Sequence, residues 1–210
     1  RGDTLKSPAF LEKDELKTFN IILANPPYSI KQWNRAEFEK DPYGRNIYGT
    51  PSQGCADYAF QQHIIKSLDK KNGRCAILWP HGVLFRDAEI EMRKKMIESD
   101  VVEAVIGLGP NLFYNSPMEA CILVCNKGKK KDRREKIIFI NAVNDVRRES
   151  AFSCLTDDHI AKLRLWLSLV VDEDDIKQIK PLPNLDYKIV CGNSLLGVEK
   201  NLFNNHLFSK

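Results

Sequence analysis

The sequence predicts an α/β fold built on a doubly wound, Rossmann-like sheet, and three observations carry that expectation. Short apolar runs of strand length alternate with amphipathic stretches of helical period. The order strand, helix, strand, helix, strand implies parallel pairing through right-handed crossovers. The first three apolar runs all end on proline or glycine-proline, which stops a strand abruptly.

Residues 19–24 (FNIILA) form the first apolar run, halted by Asn25-Pro26-Pro27. Residues 31–53 are polar and rich in glycine and proline, with no clear period, and read as a long functional or mobile loop. Residues 57–68 place Tyr58, Phe60, Ile64, Ile65 and Leu68 near helical spacing, and Lys70-Lys71-Asn72-Gly73 closes that helix with late positive charge and a glycine stop. Residues 74–79 are the second strand, 89–98 a charged amphipathic helix and 101–108 the third strand. Residues 118–125 and 136–140 read as two more strands joined by a basic turn, hence as an antiparallel hairpin at the sheet edge. Beyond residue 148 the pattern changes. Residues 155–175 are helix-like and then acidic, Pro181 and Pro183 break them, and residues 187–190 look like a further short strand. The expected division is 1–148 for the sheet domain and 149–210 for a helical and irregular extension.

Composition narrows the function classes. The chain has 210 residues, 43% of them hydrophobic, enough for one domain with a real core. No apolar run reaches the roughly 18 residues of a membrane helix, so no membrane partner is expected. The chain opens on Arg1-Gly2-Asp3, not on Met and an apolar leader, and reads as a piece of a longer protein. None of the six cysteines forms a C-x-x-C pair, so no metal site is expected, and their scatter through apolar runs fits a reducing cytoplasm. The net charge of +4 permits a nucleic-acid partner without requiring one.

The chemistry sits in Asn25-Pro26-Pro27-Tyr28, directly after the first strand. Ligands of open α/β sheets bind beyond the carboxyl ends of strands, where this tetrapeptide lies. The exocyclic amine of adenine is a poor nucleophile because its lone pair is delocalised into the ring. An acceptor on each side of the amine holds its two N–H bonds in a geometry suited to attack. Asn25 offers its side-chain oxygen and Pro26 its carbonyl. Paired prolines stiffen the loop. Tyr28 offers a ring on which a base can stack, and a base inside a duplex must be flipped out to reach it. On its own the tetrapeptide is equally readable as a proline turn.

In its wider setting, "FNIILANPPYS" resembles the catalytic motif of S-adenosylmethionine-dependent amino-methyltransferases. The segments "DYAFQQHIIKSLDKKNGRCAILWPHGVLFR" and "LGPNLFYNSPMEACILVCNK" resemble the sequel in modification subunits of type I restriction systems. The likeness runs from about residue 2 to residue 148. It implies the carboxyl-terminal half of a methyltransferase sheet acting on N6 of adenine in DNA, with specificity and restriction subunits as partners. It makes Asn25-Pro26-Pro27-Tyr28 the catalytic tetrapeptide, assigns Asn25 and Pro26 to the amine and Tyr28 to stacking, and gives the cofactor to Asn25 and to Asp3 of Gly2-Asp3-Thr4-Leu5, the latter holding its adenine. Phe113 would pack on the flipped base, although a core aromatic is the competing reading. His81 reads more readily as a loop cap than as a pocket residue. The basic turn at 127–136 is either a phosphate contact or a solvated hairpin tip. The family's main cofactor motif, an aromatic-x-Gly-x-Gly turn after a first strand, has no match here. The segment from Leu165 onward resembles part of larger single-chain type II restriction-modification enzymes. Two rival readings stay open: an amino-methyltransferase acting on RNA or protein, and a catalytically silent DNA-binding or assembly module.

Overall fold

The computed structural model describes residues 2–113, 117–149 and 153–172. The chain divides into two compact units, Arg1–Cys154 and Leu155–Lys210. The second contributes one described helix, Asp157–Asp172. The strand expected at 187–190 lies outside the described residues.

In the first unit a small hairpin pairs β1 (Leu11–Glu12) with β2 (Glu15–Leu16), turning through Lys13 and Asp14 at positive φ. The main sheet has five strands: β3 (Ile21–Ala24), β4 (Arg74–Pro80), β5 (Val102–Leu108), β6 (Ala120–Asn126) and β7 (Ile138–Ala142). Their spatial order is β3-β4-β6-β5-β7. β3 pairs in parallel with β4, and β5 with β7, while β6 runs antiparallel to both β4 and β5. A second small hairpin joins β8 (Arg147–Arg148) to β9 (Ser153–Cys154).

The sheet is mixed and of the expected α/β class, with antiparallel pairs as expected, but the last two large strands do not form its edge hairpin. β6 pairs back onto β5 and is wedged between β5 and β4. Its ACILVCN sequence has no polar alternation and none of its residues is exposed, as suits an interior strand. β7 lies beyond β5, with Phe139 75% exposed. The chain steps across the start of β5 to get there, and Asp100 acts as the post. Its Oδ1 accepts from Lys129 Nζ at 2.6 Å and from the backbone N–H of Glu135 at 3.0 Å.

Two helices pack on one face of this sheet. In helix α2 (Asp57–Lys66), Tyr58, Ile64 and Ile65 join Cys75, Ile77, Trp79, Leu123 and Cys125 in the main core, with Met92 and Met96 from α3 (Ile90–Glu98). Between β3 and α2 the expected structureless loop contains a short helix, α1 (Arg35–Glu39), capped by the Asn34 side chain. The rest of that segment is tied down from inside. The Gln62 side chain accepts from Tyr48 N–H at 2.6 Å and donates to the Gly49 carbonyl at 2.8 Å.

Gly73 is not a helix stop. α2 ends at Lys66, and Asp69 then turns the chain by accepting from the Lys71 and Asn72 N–H groups. A Cβ on Gly73 would lie 2.6 Å from both the N and O of Asp69, so glycine is required by close backbone approach. Gly73→Ala is expected to cost about 1–3 kcal/mol through overpacking. Chemical denaturation measures this, and an unchanged midpoint would refute it.

The opposite face of the sheet is only partly covered. On β3, Ile21 is 71% and Leu23 78% exposed, and the neighbouring Ala76, Leu78, Ile122 and Val124 are half-buried. Among the described residues nothing pairs with the outer edge of β3. An apolar face of this size beside a free edge is unusual for an isolated sheet.

Candidate active site

β3 delivers its last residue, Ala24, level with Ile77 of β4, and the chain then leaves the sheet as Asn25-Pro26-Pro27-Tyr28. Asn25 and Pro27 are exposed, while Pro26 and Tyr28 are half-buried. The Tyr28 ring lies 6.3 Å from the Trp79 ring, tilted by 47°. Trp79 is fully buried and fixed in turn by its Nε1–H, which donates to Gln61 Oε1 at 2.7 Å. Burial, with smaller contributions from Cys121 and Asp57, pushes the Tyr28 phenol up to about 12, so it stays protonated and can donate. It does so: the hydroxyl donates to Asn25 Oδ1 at 2.7 Å. A donor therefore already occupies the acceptor assigned to the target amine.

The chain turns sharply at Ser29, a non-glycine residue at φ +51°. Its N–H donates to Asp57 Oδ1 at 2.6 Å, and Asp57 Oδ2 accepts from Arg86 at 2.6 Å. Nothing local in the sequence marks Asp57 and Arg86 as site residues, since only the fold brings them to the loop.

The remaining expected site residues are placed as follows. Asp3 is exposed, and its Oδ1 accepts from the N–H groups of Leu5 and Lys6 at 3.0 and 3.1 Å, the pattern of a turn aspartate. The Thr4-Leu5 backbone is gripped by Arg45, buried and paired with Asp41, which donates to both carbonyls. His81 closes the loop after β4: its ring lies 3.1 Å from Glu119 and its N–H donates to the Glu119 carbonyl. That is the loop-capping reading. Phe113 is half-buried in the connection after β5.

The basic turn is displaced from the site. β6 runs antiparallel, so residues 127–136 follow its far end, beside the starts of β4 and β5. At roughly 3.3 Å per residue the seven-residue β4 separates that end from the site end by about 20 Å. Lys129 is itself buried against Asp100. The turn is not the tip of a paired hairpin, and it lies at the end of the sheet away from Asn25.

The described residues fit S-adenosylmethionine only in part. Asp3 retains one carboxylate oxygen for an adenine amine. No glycine turn for backbone approach to a ligand is found at the described strand ends. Gly109, after β5, is committed elsewhere: a Cβ there would meet the Val143 carbonyl oxygen at 2.6 Å.

The mixed five-stranded sheet thus carries Asn-Pro-Pro-Tyr at the carboxyl end of a parallel strand. The chain belongs to the N-6 DNA methylase family, whose model matches residues 1–181. It is 33% identical over 177 residues to the type I restriction enzyme MjaVIII methylase subunit of Methanocaldococcus jannaschii, covering 77% of this chain and 29% of that protein. Against the HindI methylase subunit of Haemophilus influenzae the identity is 34% over 165 residues, covering 77% and 35%. The type I methyltransferase subunit of Streptococcus thermophilus superposes with a TM-score of 0.70 at 31% identity, over 82% of this chain and 35% of that one. A class I S-adenosylmethionine-dependent methyltransferase structure from Listeria monocytogenes shares the fold alone, with a TM-score of 0.50 at 14% identity over 75% and 43%. The chain thus spans about a third of the length of these curated relatives. No described helix is long and apolar enough to cross a membrane.

Proposed function

We propose that this chain is the catalytic half of a DNA adenine-N6 methyltransferase of a restriction-modification system, working on duplex DNA with specificity and restriction subunits in the cytoplasm. One observation carries the reading. Asn25 Oδ1 stands exposed at a strand end and accepts a hydrogen bond at 2.7 Å from a neighbour that a substrate amine can displace.

The flipped adenine stacks on the Tyr28 ring, with Phe113 as the candidate for the other side. One amine N–H displaces the Tyr28 hydroxyl from Asn25 Oδ1, and the other goes to the Pro26 carbonyl. Held this way, the nitrogen lone pair points out of the ring plane toward an electrophile. S-adenosylmethionine supplies the methyl group when bound, with Asp3 holding its adenine. The amine nitrogen, held by Asn25 and Pro26, would lose one of its two protons to water as it is methylated. No cysteine is called on as a nucleophile. Catalysis rests on positioning and on the two acceptors. Residues 1–148 form the catalytic half and 149–210 an extension to it. The rest of the cofactor site belongs to a segment that would pair with the free edge of β3 and cover Ile21 and Leu23.

Methylation of duplex DNA by the full-length protein, with the product nucleoside identified after hydrolysis, tests the proposal. N6-methyladenine is the expected product, and transfer to RNA or protein alone would overturn it. Tyr28 variants test the loop. Tyr28→Phe keeps the ring and frees Asn25 of its internal donor, so its effect is expected to be mild. Tyr28→Ala is expected to cost about 1–3 kcal/mol of base stacking, or about 5- to 150-fold in kcat/KM. Equal losses in the two variants would place the function in the hydroxyl.

A further inference from the structure

Three elements meet behind the Asn-Pro-Pro-Tyr loop at one buried carboxylate. Asp57, the first residue of α2, has no exposed surface. Its Oδ1 accepts from the N–H of Ser29, in the loop after β3, and its Oδ2 accepts from Arg86, in the loop after β4. Arg86 also donates through Nε to Glu89 Oε2 at 3.0 Å, and its guanidinium reaches toward Ser29 Oγ at 3.5 Å. The Arg86 carbonyl accepts from Arg93 at 2.9 Å, which fixes the loop from inside.

Ser29 follows Tyr28 directly, and its left-handed backbone is costly for an L-residue without glycine's freedom. Such a conformation persists only where the surroundings hold it. Here the hold is the charged hydrogen bond to Asp57, with Arg86 balancing the carboxylate. Burial raises the pKa of Glu89, and Arg86 is shared between the two acids, through Nε with Glu89 and through its terminal nitrogen with Asp57.

We infer that Asp57 and Arg86 are positioning residues for methyl transfer: they set the Ser29 turn and, through it, the placement of the Tyr28 ring against Asn25. This rests on the reading of the loop as an amine-methylating site. Misplacing a reacting group by about 1 Å costs about 100-fold in rate.

The test uses the full-length protein and its duplex substrate, with Asp57→Asn, Arg86→Gln, Arg86→Lys and, as a control on the reading itself, Asn25→Ala. Asp57→Asn and Arg86→Gln are expected to lower kcat about 100-fold per folded molecule, with KM for DNA and cofactor within about threefold. Arg86→Lys, which keeps a charge for Asp57, should recover much of the loss. Amide exchange across residues 25–30 should quicken in Asp57→Asn while that of 120–126 stays slow. Normal kcat per folded molecule in Asp57→Asn and Arg86→Gln, alongside an active wild type and a dead Asn25→Ala, would overturn the positioning role alone. Unchanged exchange at 25–30 would also overturn it. A folded, cofactor-bound wild type that methylates no adenine would instead overturn the functional reading on which it rests.

Discussion

Replacing Asn25 with alanine in the full-length protein is expected to abolish methyl transfer to DNA, with kcat falling at least about 100- to 1,000-fold, the cost of removing one preorganised partner of a reacting group. DNA binding should be largely intact. Asn25 is exposed and its one internal bond, from the Tyr28 hydroxyl, is short-range, so its loss leaves the core untouched. The variant should therefore unfold with the wild type to within about 0.5 kcal/mol, as surface substitutions do. The effect is chemical because alanine leaves the amine with only the Pro26 carbonyl, and the second N–H then turns to water. Radiolabelled methyl transfer at saturating DNA and cofactor reads the loss directly. Turnover near the wild-type rate would remove Asn25 from the mechanism and with it the proposed use of the loop.

The second large effect concerns the cofactor. The 210-residue chain alone is expected to show no saturable S-adenosylmethionine binding at micromolar concentration by calorimetry. Among the described residues the contacts on offer are one remaining oxygen of Asp3, whose other oxygen is spent on Leu5 and Lys6, and an Asn25 amide engaged by Tyr28. A glycine turn that admits the ligand to the backbone and an acidic partner for the ribose are the usual sources of affinity in such sheets. Losing most of them weakens binding by several kcal/mol, and each 1.4 kcal/mol is about tenfold in affinity. Binding should return in a longer chain that supplies the segment proposed to cover Ile21, Leu23 and the edge of β3. A micromolar dissociation constant for the 210 residues alone would mean that the cofactor site is assembled from other groups.

Much of the sheet was legible because its signals are local. Residues 19–24, 74–79 and 101–108 are apolar runs with hard stops, and the strands Ile21–Ala24, Arg74–Pro80 and Val102–Leu108 fall on them. The reading of 118–125 and 136–140 as strands holds to within two residues, since Ala120–Asn126 and Ile138–Ala142 are both present. Their pairing was not legible. Two adjacent strands with a turn between them satisfy a hairpin as well as they satisfy neighbours elsewhere. The choice depends on Asp100 capturing Lys129 and Glu135, contacts made about 30 residues apart in the chain.

The sequence by itself determined the five large strands, helices α2 and α3 and the tetrapeptide that places Asn25, Pro26 and Tyr28 at a strand end, because periodicity, proline stops and side-chain chemistry act within a few residues. Only the tertiary structure decided what those residues do to one another. It set the Tyr28 hydroxyl on Asn25 and the Tyr28 ring on Trp79, and it brought Asp57 and Arg86 behind Ser29. It gave Arg45, 41 residues from Thr4, the task of fixing the strand of chain that carries Asp3. It also sent the basic turn to the far end of the sheet, because β6 runs against its neighbours. Hydrogen bonds and ion pairs reach about 3 Å, so such partnerships depend on where the packed sheet brings side chains together, and that placement is a property of the whole fold.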